Sequence, residues 1–165
     1  MTNVKSISRT LIVDAALLAT ACLIPALSHL LAFPLYKLNP MLLVLMGGML
    51  LVDSRWNAYI MALLVPFVTC LVVGMPTVSG ALCIALEFAT VVSVVSLAAP
   101  HAGRRFWTLL ALALGAILAG KVVYYTAKWL IVRPDQLVTT SPLVQAVSVM
   151  AIAALFALVA SRRRI

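Results

Sequence analysis

Acidic side chains, histidines and recognisable phosphate or metal motifs are scarce or missing in this sequence. Only 4 of its 165 residues are Asp or Glu and 2 are His, and charged residues make up 10% of the chain. It has no glycine-rich Walker loop to cradle a nucleotide phosphate and no His/Glu zinc motif. These absences exclude ATP hydrolysis by the chain itself, and we expect neither a metal nor another cofactor.

Cysteine is also rare, and its spacing carries no chemistry. The three cysteines lie inside apolar runs, with neither metal-ligand spacing nor the even count of a disulfide framework: Cys22, Cys70 and Cys83. We interpret them as buried, inert thiols. Residues 1–28 resemble a signal peptide, but Asp14 interrupts their apolar core and the run continues past Cys22 to Phe33. We therefore expect a retained first membrane span.

Apolar residues are what this chain has in abundance. They make up 65% of it, and the mean hydropathy is +1.18, whereas soluble domains are about 45–50% apolar. A membrane-spanning helix needs about 20 mostly apolar residues, and shorter ones are tolerated in small bundles. Six such segments can be read along the chain: about 10–33, 41–52, 58–73, 81–99, 106–132 and 143–160. The predicted fold is all-α, a single transmembrane domain over residues 1–165 with a bundle of six spanning helices.

Positive charge is distributed unevenly among the connections between these segments. The formal net charge is +8, from 12 Lys and Arg against 4 Asp and Glu. With six spans, one side of the membrane holds most of the cations: Lys5, Arg9, Arg55, Arg104, Arg105, Arg162, Arg163 and Arg164. The other side holds Lys37 and Arg133, with Lys128 near its edge. Because positive residues mark the cytoplasmic side, both termini are predicted to be cytoplasmic, in the inner or plasma membrane of a bacterial-type cell. This role of the charge in topology gives no reason to expect nucleic-acid binding.

One stretch, from Gly115 to Trp129, is apolar enough for the membrane and yet carries several polar side chains. Four of them share one helix face, at spacings of i, i+3, i+4 and i+7: Lys121, Tyr124, Tyr125 and Lys128. A cationic and aromatic face would be costly against lipid. We therefore expect this face to meet protein or a cavity.

Other uncommon polar residues fall at the same depth in this topology. Besides that face, the outer half of the bundle holds His29, Asn39, Glu87 and Gln145. In one interpretation, Glu87 and Lys121 form a buried ion pair that fixes helix register, and the tyrosines anchor the interface. In the other, the layer lines a water-accessible pocket open to the outside. An ion pair between Glu87 and Lys121 does not explain well why polar residues of the other segments lie at the same depth. A substrate pocket is therefore the favoured prediction, and the ion pair is compatible with it.

Small residues mark the first span. Ala15 and Ala19 have the small-xxx-small spacing that lets membrane helices approach closely. This surface either packs inside the bundle or docks another membrane protein, and the sequence alone does not decide between the two.

The predicted topology also argues against catalysis. Glu87 with Lys121 suits acid–base chemistry, but the two histidines lie on opposite sides of the predicted membrane, so no Ser–His–Asp set can form. Because neither a nucleophile nor a metal motif is apparent, we predict that the chain is not an enzyme.

Six short spans, cytoplasmic termini, an alanine-patterned first helix and an outward-facing polar layer together resemble the S component of energy-coupling factor (ECF) transporters. The stretches that carry the resemblance are CLIPALSHLLAFPLYKLNPMLL in the first two spans and GKVVYYTAKWLIV in the fifth. The resemblance covers the architecture of nearly the whole chain and contains no short specific motif. It implies a membrane subunit that binds a vitamin or related micronutrient from outside. That subunit would associate with a membrane T component and two cytoplasmic ATPases, and topple in the lipid to release substrate inside.

The resemblance also implies roles for particular residues. Ala15 and Ala19 match the alanine-rich first helix that contacts the T component in that family. The family pocket is built by the later spans and the loop between the first two, here Pro34 to Asn39. Together with the polar layer, this gives the predicted substrate-binding residues: His29, Asn39, Glu87, Lys121, Tyr124, Tyr125, Lys128 and Gln145. Lys121 with Lys128 suits a substrate carboxylate or phosphate, and the tyrosines suit a flat ring.

Two other functions remain open at this point. A structural membrane protein, similar to the small rod-shape-determining membrane subunit of the bacterial cell-wall elongation machinery, has about this size. That function predicts no ligand and a polar layer closed by internal pairs. A small membrane enzyme acting on lipid predicts polar residues beside a lateral opening, together with turnover.

Overall fold

The computed structural model describes residues 2–30, 39–52, 54–103, 105–131 and 141–162, and the side chains of all of these except 2–7 and 25–30. The described part of the chain is helical, with short connections and no strand. Its helices in chain order are α1 Thr2–Leu30, α2 Pro40–Leu51, α3 Arg55–Val73, α4 Val78–Ala98, α5 Phe106–Ile131 and α6 Pro142–Arg162.

Each helix coincides with one of the six apolar segments expected from the sequence. The clearest difference is α1, which begins at Thr2 rather than near Thr10. Within the described residues, α3, α4, α5 and α6 are long and apolar enough to cross a membrane, while α2 is a shorter apolar helix of 12 residues. The chain is therefore a helical, multi-pass membrane protein. Six crossings and cytoplasmic termini stay predictions.

Local sequence signals account for several helix ends. Ser54 caps α3 by accepting a hydrogen bond from the Asn57 N–H at 3.3 Å, and Thr77 caps α4 by accepting one from the Gly80 N–H at 3.3 Å. Small hydroxyl residues suit this position because they satisfy an N–H group that has no partner within the helix. At the other end of α3, Gly74 adopts a φ of 75°, the left-handed conformation with which helices commonly end.

Five of the helices form a closed ring. α2 packs on α3, α3 on α4, α4 on α5 and α5 on α6, and a contact between α6 and α2 closes the circle. α1 lies outside this ring, against α2 and α3. The most extensive contact joins α4 to α5, and the predicted polar face of α5 belongs to this pair.

The interior of the bundle is filled mainly by aliphatic side chains and by Phe88. Val65, Phe88 and Ile117 are completely buried, on α3, α4 and α5 respectively. Large apolar side chains such as Leu71 and Leu143 are instead exposed on the outer surface. An apolar exterior around an apolar interior is the distribution that a lipid environment allows, because lipid tails are as apolar as the core.

Polar contacts between helices occur at both ends of the bundle. At one end, Asn57 Nδ2 donates a hydrogen bond to Asp14 Oδ1 at 3.0 Å, which ties α1 to the first turn of α3. Near the same end, the Tyr59 hydroxyl lies 2.9 Å from Ser93 Oγ and links α3 to α4. In the predicted topology this is the cytoplasmic end. The opposite end holds the residues described next.

Candidate functional site

An ion pair joins α4 to α5 in the half of the bundle predicted to face outward. Lys121 Nζ lies 2.8 Å from Glu87 Oε1. The two partners differ in exposure, because the Glu87 side chain is 2% exposed and the Lys121 side chain 20%. The Glu87 side chain is thus sealed within the protein, whereas the Lys121 side chain remains partly exposed.

The close approach of the two helices at this point depends on Gly120. A Cβ atom at Gly120 would lie 2.8 Å from Val91 Cγ2 and 3.0 Å from the carbonyl oxygen of Glu87. Both distances are shorter than ordinary van der Waals contact, so only glycine fits without a shift of α4 or α5. Gly120 therefore sets the spacing at which Lys121 meets Glu87.

A further polar side chain reaches Glu87 from the start of α2. The Asn39 side chain interacts with the Glu87 carboxyl group, yet within the described part of the chain no hydrogen-bond donor is aligned on Oε1 itself. Asn39 occupies the N-cap position of α2, with a φ of 52° in the left-handed region and no capping hydrogen bond from its side chain. Asparagine tolerates this backbone conformation better than other non-glycine residues. Its side chain is directed to the ion pair rather than to the helix that it precedes.

Tyr124 lies at the centre of the polar face of α5. Lys121 Nζ lies over its ring at 5.2 Å from the centroid, and Lys128 Nζ at 5.8 Å. Both distances are within the range of a cation–π interaction. The Tyr124 and Tyr125 rings meet edge to face, with centroids 5.3 Å apart and an interplanar angle of 77°.

α6 joins this group through a hydrogen bond. The Tyr125 hydroxyl donates to Gln145 Oε1 at 2.7 Å. On α4, the buried Cys83 lies one turn before Glu87 and within electrostatic range of Lys128. Polar groups from α4, α5, α6 and the start of α2 thus converge. We refer to them as the Glu87 cluster, whose members are Asn39, Glu87, Lys121, Tyr124, Tyr125, Lys128 and Gln145.

Most of the residues predicted to bind substrate belong to this cluster. The sequence predicted that separate segments converge at one depth, and the contacts above join all of them except His29. The side chain of His29 and residues 34–38 of the predicted pocket segment lie outside the described residues. Ala15 and Ala19 lie on the exposed face of α1. That they bind substrate or a partner stays a prediction for every one of these residues.

Sequence reasoning missed two features of the structure. Gly120 was not singled out, although a glycine next to a charged residue in a membrane helix is a signal of close packing. The Asp14–Asn57 hydrogen bond was also missed, because it joins residues that are distant in the sequence and carry no shared motif.

The side chains of the Glu87 cluster are of the kinds that bind a ligand. Ammonium groups bind oxyanions through charge-assisted hydrogen bonds, and tyrosine rings provide apolar area with a polar handle. No group of His, Cys, Asp and Glu that could hold a metal ion occurs among the described residues. The cluster therefore suits an organic ligand with at least one acceptor group.

A concave feature lies between α2 and α6. It is a groove of about 230 Å³ with an apolar lining, formed by Leu43, Met46, Gly47, Leu50, Leu51, Ile152, Leu155, Phe156 and Val159. Leu43, Leu51 and Leu155 are exposed on the bundle surface, so the groove is open to lipid. It holds no ionisable residue and is separate from the Glu87 cluster.

Comparison with known proteins assigns no function to this chain. Neither a protein-family model, nor a curated protein, nor a solved structure matches it. The function therefore has to be inferred from the geometry of the Glu87 cluster.

Proposed function

We propose that this chain is the substrate-binding membrane subunit of an uptake system of the ECF type, specific for a vitamin or related micronutrient. The observation that supports this function best is the asymmetry of the Glu87–Lys121 pair. The Glu87 side chain is 2% exposed and the Lys121 side chain 20%. A pair that serves structure alone has no need to leave one partner accessible.

This difference in exposure suits a binding site in which a buried Glu87 positions Lys121 and Lys121 contacts the ligand. Glu87, held between α4 and α5, attracts the Lys121 ammonium group at 2.8 Å and thereby fixes the direction of a side chain that is itself partly exposed. Such preorganisation lowers the entropy that is lost when a ligand binds. Tyr124, Lys128 and the Tyr125–Gln145 pair extend the surface toward α6.

Energy for uptake would have to come from other subunits. The sequence has no phosphate-binding Walker loop, so the proposed system supplies a membrane T component and ATPases. The exposed face of α1, with Ala15 and Ala19, is the proposed docking surface for the T component. Small residues there would let a partner helix approach closely.

A structural scaffold is the second candidate, and one observation favours it. The Tyr125–Gln145 hydrogen bond and the Glu87–Lys121 ion pair are internal contacts, and a scaffold needs only contacts of this kind. The two functions differ in whether Lys121 has an external ligand.

Thermal unfolding of the purified protein in detergent, with a panel of vitamins and related compounds, tests the binding function. We expect one compound to raise the unfolding temperature of the wild-type protein and to have no such effect on Lys121→Met. The matched control is Tyr59→Phe, which alters a polar contact at the opposite end of the bundle and should keep the ligand response. If no compound stabilises the wild-type protein, the scaffold function is favoured.

Co-purification of a T component tests the docking surface. Ala15→Trp with Ala19→Trp should block assembly and leave ligand binding unchanged. Leu71→Trp is a suitable control, because Leu71 is 84% exposed on α3. Assembly that survives the α1 double substitution would refute docking through this face.

A further inference from the structure

The groove between α2 and α6 has a buried apolar floor and an exposed apolar rim. Met46, Ile152 and Phe156 form the floor and are buried, whereas Leu43 and Leu155 on the rim are exposed. The volume of the groove is about 230 Å³, which is below the roughly 300–1,000 Å³ of most small-molecule pockets. Its size and its lining therefore suit a slender hydrocarbon chain rather than a compact polar ligand.

Gly47 leaves open space in the wall of this groove. A Cβ atom added there would have nothing within 4 Å. The residues one turn away on α2, Leu43 and Leu51, are both large, so α2 lacks the small-xxx-small spacing by which membrane helices approach closely. A helix with its side chains is also about 10 Å wide. The groove is thus better suited to an acyl chain than to the helix of a partner protein.

An arginine follows the groove at the end of α6. Leu155, Val159 and Arg162 are spaced at i, i+4 and i+7 and therefore share one face of the helix. Leu155 and Val159 line the groove, and Arg162 lies about one turn beyond it with an exposed side chain.

The length of α6 places the groove and Arg162 at different depths in a bilayer. α6 has 21 residues and is therefore about 31 Å long, at 1.5 Å per residue. The hydrocarbon core of a bilayer is about 30 Å thick. Because Arg162 is the last residue of α6, it reaches the level of the headgroups, whereas the groove lies at the depth of the acyl chains.

We propose that the groove between α2 and α6 binds one acyl chain of an anionic phospholipid, whose phosphate group contacts Arg162. The apolar groove and the arginine follow each other in depth as the chain and the phosphate of such a lipid do. A guanidinium group binds phosphate through paired, charge-assisted hydrogen bonds. A zwitterionic headgroup also carries a cation, which Arg162 repels, so an anionic headgroup is preferred. This site is separate from the Glu87 cluster and does not depend on the uptake function.

Native mass spectrometry of the purified full-length protein can compare two lipids that have the same acyl chains. We expect anionic phosphatidylglycerol to bind more tightly than zwitterionic phosphatidylcholine as the first lipid retained. Arg162→Gln should weaken the binding of phosphatidylglycerol by about fivefold, the effect of one positive charge near anionic lipid. Arg105→Gln is the matched control, because Arg105 is also exposed but lies between α4 and α5, on the opposite side of the ring.

Gly47→Leu tests the groove itself, because the new side chain enters open space and does not disturb the core. If it excludes two methylene groups of the acyl chain, the binding of both lipids should fall by about tenfold. Gly115→Leu is the matched control, since a Cβ atom at Gly115 on α5 also has nothing within 4 Å. Size-exclusion profiles that match the wild type would show that each variant is folded. Arg162→Gln keeps the test available if Gly47→Leu does not fold.

Four results would overturn the proposal. If the wild-type protein retains both lipids equally, or if Arg162→Gln and Arg105→Gln bind phosphatidylglycerol alike, the contact with the headgroup is refuted. If Gly47→Leu binds lipid as the wild type does, the acyl chain does not occupy the groove. If glycerol phosphate, which has no acyl chain, displaces phosphatidylglycerol at equal concentration, the site recognises phosphate alone. If the wild-type protein is a dimer that Gly47→Leu converts to a monomer, the groove holds a second copy of this chain and not a lipid.

Discussion

Gly120→Ala should separate α4 from α5 and thereby disturb the ion pair. The added methyl group would lie 2.8 Å from Val91 Cγ2, 3.0 Å from the Glu87 carbonyl oxygen and 3.3 Å from Glu87 Cγ. Val91 is completely buried, and a backbone oxygen cannot move without moving its helix. The clash is therefore relieved by a shift of the helices rather than by a side-chain rotation.

Gly115→Ala is the matched control for this substitution. Gly115 lies on the same helix, and a Cβ atom there would have nothing within 4 Å. Both variants gain the same helix preference of alanine over glycine, so that term cancels in the comparison. The difference between them is then the cost of overpacking, about 1–3 kcal/mol. For a chain of this size it corresponds to a difference in unfolding temperature of about 2 to 12 °C.

The buried thiol of Cys83 provides a local assay for the α4–α5 contact. Cys83 is 0% exposed and precedes Glu87 by one helical turn. In a Cys22→Ser and Cys70→Ser background, a thiol-reactive fluorophore reports the temperature at which Cys83 becomes accessible. We expect this temperature to fall for Gly120→Ala and to stay the same or rise for Gly115→Ala. Equal temperatures for the two variants would refute the close approach of α4 and α5.

Three further predictions concern the contacts and the topology. Lys121→Met should destabilise the protein by about 3–5 kcal/mol in thermal unfolding, because it leaves Glu87 buried without its counter-charge. Adding Glu87→Gln should recover part of this loss of stability. A double variant that is less stable than Lys121→Met alone would argue against the ion pair. Tyr125→Phe should cost about 1 kcal/mol in thermal unfolding, since it removes the 2.7 Å hydrogen bond to Gln145; an unfolding temperature equal to that of the wild type would argue against this contact. In a cysteine-free background, Ser79→Cys should react with an impermeant thiol reagent on intact cells, and Gly103→Cys only after permeabilisation; the reverse pattern would invert the predicted orientation.

Hydropathy predicts the helices of this chain well because the membrane imposes a single requirement on all of them. A spanning segment must be apolar and must satisfy its backbone hydrogen bonds internally, so apolar runs become helices. The start of α1 shows the limit of this reasoning. Residues 2–9 are mostly polar and are nevertheless helical, because a helix need not end where hydropathy falls.

The polar face of α5 could be predicted from the sequence, but the residues that it contacts on other helices could not. Spacing along one helix places Lys121 and Tyr124 on one side, whatever the rest of the fold. The pairing of Lys121 with Glu87 depends additionally on how α4 is rotated and shifted against α5. Gly120 determines that relation through its close approach to Val91 and Glu87. The glycine in the sequence signals close packing, but it does not reveal which turn of which helix it meets.

The small residues of α1 illustrate a different limit. The spacing of Ala15 and Ala19 is compatible with packing inside the bundle and with an external face, and the structure places both residues on the exposed side. The buried positions of α1, such as Ala21, face the ring instead. Alanine occurs on both sides of this helix, so composition alone could not identify the inner one.

The contact between α2 and α6 has a consequence for how the protein is made. These two helices close the ring, and α6 is the last of the six to leave the ribosome. The growing chain can pack α3 on α4 and α4 on α5 as each helix emerges, but the surface of α2 that contacts α6 stays uncovered until α6 has been synthesised. Translation that stops before Pro142 therefore yields an open arc of helices, and synthesis of α6 is the step that closes the ring.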